Sequence, residues 1–196
     1  SFGEYSILNF GTNFDLVFPD TLINEGSGKN YGLEITLEHF LHKGFYYLFT
    51  ASLYESKYKG YDEIERNTAF SGNYTSNLLL GKEFRFLKNK EKKQSESSLV
   101  TDIKFTLNGG QRYVPIDLDE SRVSGRAIYD YSQAYVNKLP DYYRIDFKIG
   151  FKMNHKNKTE EWTIFLQNVT NHKNIFYKSY DATNGVEKTY YQNGLL

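Results

Sequence analysis

From Tyr143 to Met153 the chain alternates without a break. Tyr143, Ile145, Phe147, Ile149, Phe151 and Met153 are apolar, whereas Arg144, Asp146, Lys148, Gly150 and Lys152 between them are not. An extended strand throws successive side chains to opposite faces, so this run reads as a strand with one greasy side and one ionic side. A helix of the same sequence would spread the charges around its girth. The period-two pattern recurs. Leu33, Ile35 and Leu37 alternate with Glu34, Thr36 and Glu38, and Phe45, Tyr47, Phe49, Ala51 and Leu53 form a second, weaker case. Leu78, Leu80, Phe84 and Phe86 interleave with Asn77, Gly81, Glu83 and Arg85; Ile103, Phe105 and Leu107 interleave with Asp102, Lys104 and Thr106. A sixth run sets Trp162, Ile164 and Leu166 against Thr163 and Gln167. The prediction is an all-β chain folded as an antiparallel up-and-down meander.

The links between these strands alternate in length. Short connections fall near His42, Lys43 and Gly44, from Lys88 to Ser97, and from Asn154 to Glu160. Longer ones run from Tyr58 to Ser71, from Gln111 to Asp141, and from Asn171 onward. In a meander, successive connections emerge at opposite ends, so short turns gather at one end and long loops at the other. That asymmetry is the rule in outer-membrane barrels. The strands run to ~10 or more residues, enough to cross an apolar band at the usual tilt, whereas soluble strands more often run to ~5–6.

Composition removes other classes. Lys and Arg number 24 against 24 Asp and Glu, so the chain lacks the cationic surplus of a non-specific nucleic-acid binder. Without cysteine it has no disulfide framework and no thiol nucleophile. The mean hydropathy is −0.62, and no apolar run is long enough for a membrane helix. Yet 17% of residues are aromatic, 18 of them Tyr and 15 Phe. Tyrosine has an apolar body and a polar tip and suits half-wet borders.

Periodicity leaves open what covers the greasy face. In a partial transmembrane barrel it meets lipid, through Leu33, Ile35, Leu37, Ile103, Phe105, Ile145, Phe147, Ile149, Phe151, Trp162 and Ile164. Glu34, Glu83, Arg85, Asp102, Lys104, Arg144, Asp146 and Lys148 then line an aqueous or plugged lumen. In a soluble β-sandwich or calycin-like ligand-binding module the greasy face packs inward instead. Bulky residues on that face and aromatics near strand ends (Phe45, Tyr47, Phe84, Phe86, Tyr142, Tyr143, Trp162) favour lipid.

Several segments resemble TonB-dependent outer-membrane receptors of the Bacteroidetes type. They are Gly28-Lys29-Asn30-Tyr31-Gly32-Leu33-Glu34-Ile35-Thr36-Leu37-Glu38, Gly109-Gly110-Gln111-Arg112-Tyr113-Val114-Pro115-Ile116-Asp117-Leu118, Leu139-Pro140-Asp141-Tyr142-Tyr143-Arg144-Ile145-Asp146 and Leu166-Gln167-Asn168-Val169-Thr170-Asn171. Ser56-Lys57-Tyr58-Lys59-Gly60 and Arg66-Asn67-Thr68-Ala69-Phe70 resemble the same group. The resemblance runs nearly end to end. It implies a 22-stranded barrel of which residues 1–196 are the C-terminal part, in the outer membrane of a Gram-negative bacterium. It also implies a plug domain elsewhere in a parent chain, contact with the TonB complex through that chain, and import of a scarce nutrient such as an iron chelate, cobalamin or an oligomer. Such receptors end on a further strand closed by an aromatic residue. This sequence stops at Gly194-Leu195-Leu196, so the last strand is expected to be missing and the chain to be a fragment.

Covalent chemistry finds little footing. His39 and His42 are expected to diverge where a strand enters a turn, and His155 and His172 to be solvated in links. Asp62, Glu63 and Glu65 lack calcium-loop spacing, and Asp117, Asp119 and Glu120 read as structural loop carboxylates. Gly109-Gly110 reads as a bend or a close backbone approach at a strand end. No nucleophile elbow and no phosphate-cradling glycine loop occurs, so neither an enzyme nor a bound cofactor is expected. Ligand contacts are expected in the long loops, at Tyr113, Asp117, Tyr129, Tyr131, Tyr135 and Tyr177.

Overall fold

A computed structural model describes residues 24–87, 96–155 and 157–195. The chain is all-β and antiparallel. Strands β1 (Ser27–His42), β2 (Phe45–Lys59), β3 (Glu65–Asn67), β4 (Tyr74–Leu87), β5 (Glu96–Asn108), β6 (Tyr142–Asn154) and β7 (Thr159–Leu166) make one sheet. Its order is β1-β2-β4-β5-β6-β7, with β3 a short addition on the far end of β2. Strands β8 (Ile175–Asp181) and β9 (Val186–Tyr191) form a separate hairpin. One short helix, α1 (Leu118–Ser124), and a 3-10 turn at Tyr131–Gln133 interrupt the link between β5 and β6. Among the described residues β1 and β7 do not pair with each other, and the sheet is open.

The register aligns like with like. On one face, cross-strand rows read Leu37, Phe49, Leu78, Phe105, Ile145, and then His39, Tyr47, Leu80, Ile103, Phe147, Leu166. The next two read Phe45, Lys82, Thr101, Ile149, Ile164, and Phe84, Leu99, Phe151, Trp162. A slip of one residue would turn every one of these side chains to the ionic side, so the alternation itself pins the pairing. The β1–β2 turn is equally specified. Lys43 and Gly44 both have positive φ, which the preferred two-residue hairpin requires. A Cβ on Gly44 would meet the Glu83 carbonyl oxygen at 2.4 Å.

No second layer covers the apolar rows among the described residues; packing between strands runs along the sheet. Leu33 is 64% exposed, Trp162 72% and Ile164 62%. Ile145, Phe147 and Ile149, in the middle of the sheet, are half-buried by their in-plane neighbours. The buried cluster lies elsewhere. Tyr58, Ala69, Val114, Ala134 and Tyr135 pack together at the end of the sheet where the long links emerge, with Tyr129 and Tyr131 against them.

The strands extend up to six residues beyond their alternating cores, because pairing continues through polar positions such as Lys29–Lys57 and Glu96–Asn154. The long links also hold structure that the alternation does not predict. Asp117 caps α1 by accepting the backbone N–H groups of Asp119 and Glu120, and Gly125 closes it in the left-handed region. The β8–β9 hairpin arises within the stretch read as a plain link after Asn171. The link from Lys88 to Ser95 and the final Leu196 lie outside the described residues.

Glycines mark where backbones close up. A Cβ on Gly110 would sit 1.7 Å from the Leu139 carbonyl oxygen, and one on Gly109 would sit 1.9 Å from that of Gly72, which bears out the close approach expected at this pair. Gly110→Ala is therefore expected to destabilise the fold by about 1–3 kcal/mol through forced backbone displacement. Gly125→Ala meets no neighbouring atom within 4 Å. Its cost is the milder one of a left-handed backbone. Denaturant titration of the two variants measures the difference.

Candidate functional site

The ionic face and the long-link end carry the polar chemistry. On the ionic face Tyr46 lies across Gly81, where a Cβ would fall 2.0 Å from the ring, and its hydroxyl donates to Asp102. Asp102 pairs with Lys148 at 3.5 Å, and Lys148 with Glu161 at 3.5 Å. Glu83 pairs with Arg85 on its own strand at 3.3 Å. Glu34 is exposed and Lys104 half-buried. The eight expected ionic-face residues thus share one side of the sheet, and the eleven expected apolar-face residues share the other.

Arg144 and Asp146 both lie on the ionic face of β6. They pair with each other along β6 at 2.9 Å, and the Asp146 carboxylate is 1% exposed. Its second oxygen accepts the Asn168 backbone N–H at 2.9 Å. Asn168 donates its side-chain amide to the His172 carbonyl and accepts the His172 N–H. Asn174 exchanges hydrogen bonds with both backbone groups of Tyr143, and Val169 donates to the Ile145 carbonyl. The segment after β7 is thereby stitched onto the long-link end of β6. His172, expected in solvent, stacks on Tyr143 with ring centroids 3.8 Å apart. His155 is 4.0 Å from Glu160 and partly exposed, while His39 and His42 come within 6.3 Å edge to face because the β1–β2 register shifts between them.

Arg112 organises the long-link end. Its guanidinium donates to the carbonyl oxygens of Ser71 at 2.8 Å and of Tyr135 and Val136 at 3.0 Å, and to the Asn73 side chain at 3.3 Å. One side chain ties the β3–β4 link to the β5–β6 link, and burial lowers its pKa from the ordinary arginine value. Lys138 donates to Asn73 beside it, and burial lowers its pKa too. Asp141 accepts from the Tyr74 hydroxyl and, at 3.0 Å, from the Gly110 N–H, which together hold its carboxyl below the usual carboxylate range. No local pattern in the sequence gives Arg112 this task; its one signal is an arginine two residues past a glycine pair at a strand end.

The expected ligand contacts divide. Tyr135 is 0% exposed and forms the centre of the link core, so it packs the loops and does not face an arriving ligand. Tyr129 and Tyr131 lean on that core, and Asp117 is the helix cap. Tyr113 sits under the Lys178 ammonium, 5.1 Å from its ring centroid. Tyr177 stacks on Tyr190 with centroids 4.7 Å apart. The six loop residues expected to contact a ligand are therefore spread over a core, a cap and a hairpin. Among the other carboxylates, Asp62 grips Arg66 through both oxygens at 2.7 and 2.9 Å, and Glu65 pairs with Lys29 and Lys57. No group of three or more His, Asp or Glu side chains able to hold a metal ion occurs among the described residues. No protein-family model, curated protein or solved structure matches this chain.

Two outcomes follow from the clasp. Arg112→Ala leaves carbonyl acceptors unpaired at a cost of about 1–3 kcal/mol each where they are buried. Limited proteolysis should show faster cleavage within residues 111–141 than in the parent, with Arg112→Lys in between. Asp141, whose carboxyl is lowered in the fold, stabilises it above the ordinary carboxylate range and loses that contribution as pH falls through its lowered value. Acid should therefore loosen the same links, and Asp141→Asn should flatten that pH dependence.

Proposed function

We propose that the chain is a piece of the wall of a transmembrane β-barrel, belonging to a TonB-dependent transporter of the outer membrane. One observation carries this reading: six strands align their apolar side chains in register and leave them half-buried to exposed, with no element among the described residues laid over them. Water is a poor solvent for such a surface, at ~25 cal/mol for each Å² left wet, and monomeric soluble proteins rarely keep an apolar patch beyond a few hundred Å². Hydrocarbon removes the penalty without a second layer.

Geometry adds support. Thirteen residues in β6 extend to about 43 Å at ~3.3 Å per residue, or about 30 Å of depth at a tilt near 45°. β7 has only 8 residues, and the Val169–Ile145 hydrogen bond carries its pairing further up β6. The 43–44 turn and the facing ends of β6 and β7 at Asn154 and Thr159 lie at one end, and the links with a core of their own lie at the other, as external loops would. The open edges at β1 and β7 would pair with further strands, because lipid tolerates no free sheet edge. In this reading the ionic face borders the barrel interior and the plug domain of the parent chain. The segment supplies wall and external loops to the import of a scarce nutrient, driven by the TonB complex through that parent. The soluble sandwich or calycin-like module needs a covering layer, and no element among the described residues lies over the apolar rows.

The decisive comparison is between neighbours on opposite faces. Phe147→Lys should cost ~2–4 kcal/mol if its face meets mid-membrane lipid, and Lys148→Phe far less. Unfolding in detergent micelles or lipid vesicles measures both. Recovery of the chain folded and monodisperse from detergent-free buffer would overturn the reading.

A further inference from the structure

Within the four apolar rows given above, one formal charge stands. Lys82 occupies the apolar side of β4 between Leu80 and Phe84, with Phe45 and Thr101 beside it across the sheet. The carboxylate on that side at this end, Glu160, lies three strands away on β7 and is paired with Lys158. The sequence neighbour of Lys82, Glu83, points to the opposite face and is engaged by Arg85, and Glu38 also lies on the ionic side. The Lys82 ammonium bends toward the β1–β2 turn and rests 3.4 Å from the Lys43 carbonyl oxygen. At that turn Lys43 and His42 are exposed, and the rings of His39, Tyr47 and Phe45 line the same edge. The β1–β2 hairpin ends level with Lys82, whereas β4 runs on to Leu87. The edge therefore has a step, with cations at its corner and phenyl rings along both sides.

Resting on the membrane reading above, we propose that this corner seats the phosphate of an anionic phospholipid, whose acyl chains lie along the apolar rows. The ligand must be an anion that reaches a greasy face, which a lipid headgroup achieves and a free ion does not. A long lysine stem lies along apolar surface while its ammonium reaches the headgroup level. An ionisable group on a membrane face calls for a named counter-charge. Lys82 supplies the central contact, Lys43 a second cation, and Phe45 and Phe84 the flanks against which the first methylenes pack. The site lies at the short-turn end, remote from the links that carry the ligand-contact candidates.

The test uses the full-length protein that carries this chain, purified in detergent micelles. Native mass spectrometry follows retention of dioleoylphosphatidylglycerol and of dioleoylphosphatidylcholine, with inorganic phosphate as a competitor. We expect the phosphatidylglycerol adduct to outlast the phosphatidylcholine adduct by about fivefold, the scale of one lysine near an anionic headgroup. Lys82→Gln should erase that preference, Lys82→Arg should keep it, and inorganic phosphate should not displace the lipid. Equal retention of the two lipids, or an unchanged preference in Lys82→Gln, overturns the seat. Heat-modifiable gel mobility reports folding separately for each variant. A protein that folds only with detergent yet shows no lipid preference sinks the seat alone, whereas one that folds without detergent and retains neither lipid sinks the membrane reading with it.

Discussion

An antiparallel sheet with one apolar face has to satisfy two demands at once: its backbone groups must find partners, and its greasy side must leave water. This chain meets the first by continuous pairing from β1 to β7, with the outer edges of those two strands open. Among the described residues no element meets the second. The register, the placement of the buried residues and the exposure of Leu33, Trp162 and Ile164 all follow from that division. Because no helix or second sheet among the described residues competes for the apolar rows, the residues free to build a conventional core are those in the links. There Tyr58, Ala69, Val114, Ala134 and Tyr135 collect.

Polar groups take over the organising task at that end. Arg112 donates to carbonyls from two links and to a side chain at the start of β4, while Asp141 holds the glycine pair and Tyr74. Asp146 reaches from the ionic face to fix Asn168, so the sheet and the segment after β7 are joined through a buried carboxylate. Such a group is costly unless it is both paired and hydrogen-bonded, and here it is both. The rigid part of the links is therefore continuous with the sheet, and the β8–β9 hairpin leans on it through Arg122, which donates to the Gly185 carbonyl, and Lys178 over Tyr113.

Alternation made the sheet legible before any coordinates. Tyr143 to Met153 fixes a strand, its faces and its partners, because a period of two admits only one assignment of sides. The links were less legible for a physical reason. Their order comes from hydrogen bonds between residues far apart in sequence, such as Arg112 with Ser71 and Tyr135, and no local pattern encodes those distances. Tyr135 illustrates the limit, since a tyrosine in a loop reads as a surface residue until long-range packing encloses it. The helix α1 was readable in principle from Asp117, its acidic first turn and Gly125, but seven residues are too few to show a helical period.

The placement of Tyr46 over Gly81 carries a last consequence. A large ring laid flat on a residue without a side chain keeps the ionic face low at that point, since the bulk lies along the wall and does not project from it. The ionic face there is a low strip bounded by Asp102 and Lys148. Bulk introduced at Gly81 would raise a ridge across that strip while leaving the opposite face untouched.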